Sequence, residues 1–208
     1  MKRKKTRLEN VELLKQVQER LRQEPPGIGG YAAAEAAQAA WNEAKNAWQN
    51  SPLNSQTHLV GLEIRERYWA SISRAYPGSF LRSQDQLRAG DPAGMEDTVG
   101  FLEADPIFDG TGWRKEYLIR LIRDVEVTAD YALRLRAIIL SIVDRRDGQE
   151  FRAYCRLANK VDTPELRNQL SQRLLHNAPA VRRRAQWVLE ALAQKDSMEA
   201  AKKAHDKE

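Results

Sequence analysis

Apolar side chains recur along this chain at three- and four-residue steps, the spacing that lines one face of an α-helix. Over residues 6–24 the stripe is Leu8, Val11, Leu14, Val17 and Leu21. It stops at Pro25, Pro26, Gly27, Gly29 and Gly30, a run that no helix continues through, so 25–30 reads as a linker. Over 31–49 the stripe is Tyr31, Ala34, Ala37, Trp41, Ala44 and Trp48, whose small members let a neighbouring helix approach closely. Ser51 and Pro52 read as an N-cap followed by proline in the first turn. They open a helix through Leu59, Leu62, Trp69, Ile72 and Tyr76 that Pro77 and Gly78 end. These two segments predict an antiparallel hairpin. Residues 79–111 predict shorter helices, because Asp91-Pro92 and Asp105-Pro106 each repeat the cap-plus-proline signal.

From Trp113 onward the periodicity is firmer. Trp113, Tyr117, Leu118, Leu121, Ile122 and Val125 share one face over 113–126, and Tyr131, Leu135, Ile138, Ile139 and Ile142 do so over 130–144. Phe151, Tyr154, Cys155, Ala158 and Val161 mark a helix over 149–161, and Leu166, Leu170 and Leu174 another over 164–176. Val181, Ala185, Val188, Leu189 and Leu192 mark the last, over 179–193. No segment alternates long enough to be a strand. The expected fold class is all-α, with helical hairpins leading into a short α-α stack. The expected divisions are a basic arm and helix (1–24), a linker (25–30), a hairpin region (31–111), the stack (112–193) and a flexible charged tail (194–208).

A short pattern recurs three times within the stack. Its positions are Asp130, Leu133, Arg134 and Ala137, then Thr163, Pro164, Leu166, Arg167 and Leu170, then Ala178, Pro179, Val181, Arg182 and Ala185. A cap and proline start a helix, an aliphatic and a small residue face the packed layer, and the arginine reaches the turn between repeats. This resembles the second helix of HEAT-like repeats over about 113–193. The first two copies lie 33 residues apart and the third 15 further on, so the third reads as half a repeat or a closing helix.

Charge changes the picture along the chain. Residues 1–7 hold five basic side chains and no acidic one; residues 8–111 hold 9 basic and 15 acidic; residues 112–193 hold 16 basic, 14 of them arginine, and 10 acidic. That asymmetry either steers an anionic partner or is satisfied within the molecule. The single cysteine, Cys155, excludes an internal disulfide framework and fits a reducing, cytoplasmic compartment. The longest aliphatic run, Ala137 to Leu140, is far short of a membrane span, so no membrane partner is expected.

Candidate chemistry is sparse, and no cofactor is expected. His58, His176 and His205 are scattered, which argues against zinc. Asp105, Asp109, Gly110 and Glu116 fall at calcium-loop spacing, but Ile107 occupies a ligand position, so a helix-capping turn is the better reading. Cys155 lies on an apolar face, as a structural thiol does, and nothing in the spacing pairs it with His176. Gly27, Gly29 and Gly30 follow prolines rather than a strand and lack a phosphate-binding lysine. Glu63 and Glu66 beside Arg65 and Arg67 read as a solvated face.

Two basic features remain: the arm Lys2, Arg3, Lys4, Lys5 and Arg7, and the run Arg182, Arg183 and Arg184 near Arg145, Arg146, Arg152 and Arg156. The leading expectation is a non-catalytic scaffold that binds another protein through its helical surface, with Trp187 as an anchor where the stack ends. The candidate contact residues are Lys2, Arg3, Lys4, Lys5, Arg7, Arg145, Arg146, Arg183, Arg184 and Trp187. The alternative is a nucleic-acid-binding accessory protein that uses the arm and the arginine-rich helices on DNA or RNA. The HEAT-like resemblance also implies a third reading, since some such families are DNA glycosylases acting on alkylated bases.

Overall fold

The computed structural model describes residues 12–19, 30–53, 55–76 and 78–205, and every regular element among them is helical. In chain order these are α1 (12–19), α2 (Tyr31–Gln49), α3 (Gln56–Arg74), α4 (Phe80–Arg88), a 3-10 turn (Pro92–Gly94) and α5 (Met95–Ala104). They continue with α6 (Thr111–Asp124), α7 (Ala129–Arg145), α8 (Phe151–Ala158), α9 (Pro164–Arg173) and α10 (Pro179–His205). The chain divides into two compact units. The first holds α1–α3 and the segment Pro106–Asp109; the second holds α4–α10. The division therefore falls between Gly78 and Ser79 instead of near residue 111, because α4 and α5 pack against α6 and α7. Among the described residues, no helix is long and apolar enough to cross a membrane.

In the first unit, Ala34, Ala37, Ala40, Ala44 and Ala47 form the buried face of α2, and Thr57, Val60, Gly61, Ile64 and Tyr68 that of α3. Leu14 and Val17 of α1 join the same cluster. The Trp48 ring lies directly on Gly61: a Cβ there would stand 2.3 Å from indole Cδ1. That contact turns α3 by about one residue from the expected face, leaving Leu59 and Trp69 half exposed. The cap of α3 also differs from expectation. Ser55, not Ser51, accepts the backbone N–H of His58, whereas the Ser51 hydroxyl donates to the Trp48 carbonyl and closes the end of α2. Ser55→Ala is expected to lower the first unit's stability by about 1 kcal/mol in urea unfolding, the ordinary value of such a cap.

In the second unit, α6 buries Thr111, Lys115, Leu118, Ile119, Leu121 and Ile122. Trp113, expected on that face, is 68 % exposed. Helix α7 begins at its Thr128 cap, two residues before Asp130, and buries Leu135, Ile138, Ile139, Ile142 and Val143. Leu133 and Ala137 of the first pattern copy therefore face solvent instead of a packed layer. The other two copies fall as their spacing requires. Thr163 caps α9 over buried Leu166 and Leu170, and α10 buries Val181, Ala185, Val188 and Leu192. Arg182 donates to the carbonyls of His176 and Asn177 in the preceding turn, and Arg167 pairs with Asp162 at 2.6 Å. Helix α10 continues through the expected tail as far as His205, with the described side chains after Lys195 exposed.

Candidate functional site

The arginines of the second unit are largely engaged by its own groups. Arg134 bridges Glu96 and Glu103 at 2.7 Å each, and Arg173 pairs with Asp144 at 2.8 Å. Arg167 adds Asp196 to Asp162, and Arg183 meets Asp147 at 3.0 Å. Arg184, almost fully buried, donates to the carbonyls of Val143 and Asp144 and so caps the open end of α7. Glu96, Glu103 and Asp105 belong to the acidic first half by sequence but to the second unit by contacts, which leaves that unit with 22 basic and 20 acidic side chains. The apparent segregation of charge disappears within one folded unit.

At the centre of this network lies a buried ionic cluster. Asp105 ends α5 in the left-handed conformation, φ 45°, and is the one described non-glycine residue with positive φ. Its carboxylate accepts from Lys115 Nζ at 2.6 Å and from the Arg146 guanidinium, with Arg145 at 3.5 Å. Glu150 accepts from Arg146 at 2.8 Å and stands 4.0 Å from Lys115. The side chains of Asp105 and Lys115 are each 1 % exposed. Burial raises the Asp105 carboxyl, but the hydrogen bonds and charges of Arg146 and Lys115 outweigh it and hold it below its ordinary value. Burial pushes the Lys115 amine down, and Asp105 restores only part of that shift.

The reading of Asp105-Pro106 as a helix-starting cap is therefore corrected: Asp105 closes the previous helix and turns its side chain inward. The same carboxylate, needed first in a calcium loop, meets two cations instead. Among the described residues, no group of His, Cys, Asp and Glu is placed to hold a metal ion.

A lysine with a depressed pKa is a natural suspect for chemistry. Lys115, however, is 0 % exposed, and neither it nor any member of the cluster lines the groove described next. The cluster holds the ends of α5 and α7 and the start of α8 onto α6, which is a structural task. Cys155 is similarly inert, with burial pushing its thiol up to about 11.

The surface offers something different. A shallow groove of about 430 Å³ runs between the end of α8 and the later turns of α10. Arg156, Lys195 and Lys202 stand at its sides, and Ala191 and Met198 contribute apolar surface. Met198 is 73 % exposed. Elsewhere on this unit Trp187 is 40 % exposed, its ring edge-on to Phe151 with the Arg183 guanidinium 5.2 Å from its centroid.

Of the contact residues expected from sequence, Arg183, Trp187 and Arg145 lie at the surface, whereas Arg146 and Arg184 are turned inward. Lys2, Arg3, Lys4, Lys5 and Arg7 lie outside the described residues. Sequence reasoning missed Lys115 and the groove residues on α10. Lys115 did carry a signal, since it falls on the stripe Thr111, Leu118 and Ile122. No family model, curated protein or solved structure matches the chain.

Proposed function

We propose that this chain is a non-catalytic scaffold that binds another protein through the helical surface of its second unit. The observation that carries this reading is the unequal fate of charged and apolar groups. Most of the arginines are held by the unit's own carboxylates and carbonyls, while Trp113, Leu133, Leu175, Trp187 and Met198 remain in water. Large apolar side chains on a rigid helical body are what protein partners bury, and aromatic residues dominate such contacts. A unit carrying 22 basic and 20 acidic groups attracts a phosphate backbone only weakly by its net field. The closing of α9 and α10 onto their turns by Arg167 and Arg182 supports a HEAT-like reading of this stack.

The test places a photoreactive phenylalanine analogue at position 187 of the full chain and irradiates it in the native extract. One protein partner of defined mass is expected, unchanged by nuclease and weakened when Trp113→Ala and Leu133→Ala remove other exposed apolar side chains of the unit. The competing outcome is a nucleic acid mobility shift at low salt that needs residues 1–7 and weakens as salt rises. That result would replace the scaffold with a nucleic-acid accessory protein.

A further inference from the structure

We infer that the groove between α8 and α10 is a docking site for a short acidic amphipathic helix of a partner protein, an inference that rests on the scaffold reading. Ala191, Lys195, Met198 and Lys202 follow one another at steps of four, three and four along α10, so they share one face. With 27 residues α10 is about 40 Å long, whereas α8, with eight, spans about 12 Å. Helix α8 gives way to Asn159, whose carbonyl accepts from Lys195 at the groove, and α10 continues beyond it with Met198 and Lys202 exposed among the described residues. A seam of this kind accepts a third helix by ridge-into-groove packing, the mode in which apolar anchors seat at i, i+3 or i+4 and i+7.

The charges choose the occupant. Arg156 and Lys202 form no ion pair among the described residues, and Arg152 continues the row one turn earlier on α8. Glu199 is drawn toward Lys195 at 3.8 Å, which leaves the outer edges of the groove cationic. A second copy of this chain would bring the same arginine and lysine against themselves, and like charges across an interface oppose association. A phosphate backbone would meet the cations but gain nothing from Met198 and Ala191. An acidic helix with an apolar stripe satisfies both.

The experiment uses the full chain and a fluorescein-labelled synthetic peptide of roughly four helical turns, leucine at i, i+4 and i+7 with glutamates flanking them. Fluorescence anisotropy is expected to give saturable binding. Met198→Glu and the pair Arg156→Glu, Lys202→Glu should each weaken it at least about tenfold, a loss of about 1.4 kcal/mol. These side chains are exposed, so the circular dichroism spectrum should stay the same and folding will not confuse the result. A scrambled peptide of equal charge should bind about tenfold more weakly than the patterned one. Equal binding of the two peptides, displacement by a single-stranded oligonucleotide, or indifference to Met198→Glu would overturn the inference. A partner captured at position 187 whose binding ignores all three groove substitutions would overturn it while leaving the scaffold standing.

Discussion

Asp105→Asn is expected to lower the stability of the second unit by about 3–5 kcal/mol, the usual cost of stripping one partner from a buried ion pair. Asparagine keeps the shape of the side chain and tolerates the left-handed backbone at φ 45°, so the substitution removes charge and little else. Arg146 retains Glu150 at 2.8 Å, whereas Lys115 loses its 2.6 Å ion pair and keeps Glu150 at 4.0 Å. The buried lysine then loses the carboxylate that offsets its burial. Lys115→Met by itself should cost less, because Asp105 keeps Arg146. The double variant Asp105→Asn, Lys115→Met should recover more than half of the loss, since both charges of the pair leave the interior together. Urea unfolding followed by tryptophan fluorescence measures all three. A loss below about 1 kcal/mol for Asp105→Asn would show the cluster to be energetically idle. The pH dependence has a definite sign. A depressed folded-state pKa means that the Asp105 contribution is complete above the ordinary aspartate value of about 3.9 and fades as pH falls through the lower folded value. The Asn variant should lack that segment of the acid transition.

Gly94→Ala should be nearly as damaging, for an unrelated reason. Gly94 ends the 3-10 turn beneath α4, and a Cβ there would stand 2.1 Å from the Ser83 carbonyl oxygen and 2.9 Å from its carbon. Those atoms are backbone within a helix and have no rotamer to retreat into. The turn must move away from α4, disturbing Leu87, whose Cγ is 3.0 Å from the same point. A loss of at least about 2 kcal/mol is expected, within the range for forced overpacking. Gly100→Ala is the matched control, since nothing lies within 4 Å of its would-be Cβ. That variant should match the parent or slightly exceed it, because alanine favours the helix. Equal melting temperatures for Gly94→Ala and Gly100→Ala would refute the close approach.

The helices themselves were legible in sequence because three- and four-residue spacing survives any small error of register. Tyr31–Gln49 was bounded by its own composition, and Thr163 with Pro164 announced α9 through cap chemistry that tertiary packing does not override. The facing of several helices was less legible. Trp69 and Trp113 are large and apolar, so a periodicity reading draws them inward, yet both face water. In α3 the deciding contact is Trp48 against Gly61, a feature with no amplitude in a hydrophobic pattern. Lys115 inverts the same error. A charged residue is assigned to solvent by default, and only a carboxylate brought back by the fold makes its burial tolerable. The groove escaped notice because it depends on where α8 ends relative to a longer α10, a length difference that sequence blurs when helix boundaries shift by a few residues.

The ionic cluster also constrains how the chain can be made. Its members leave the ribosome in the order Asp105, Lys115, Arg146 and Glu150, and the separation from first to last is 45 residues. Until the final pair emerges, the early aspartate and lysine can meet each other but lack Arg146, Glu150 and the α7 and α8 surfaces that pack over α5 and α6, so water reaches them. Nascent chains halted before Glu150 should therefore hold α5 and α6 only loosely, and closure of the second unit should come late, as one step.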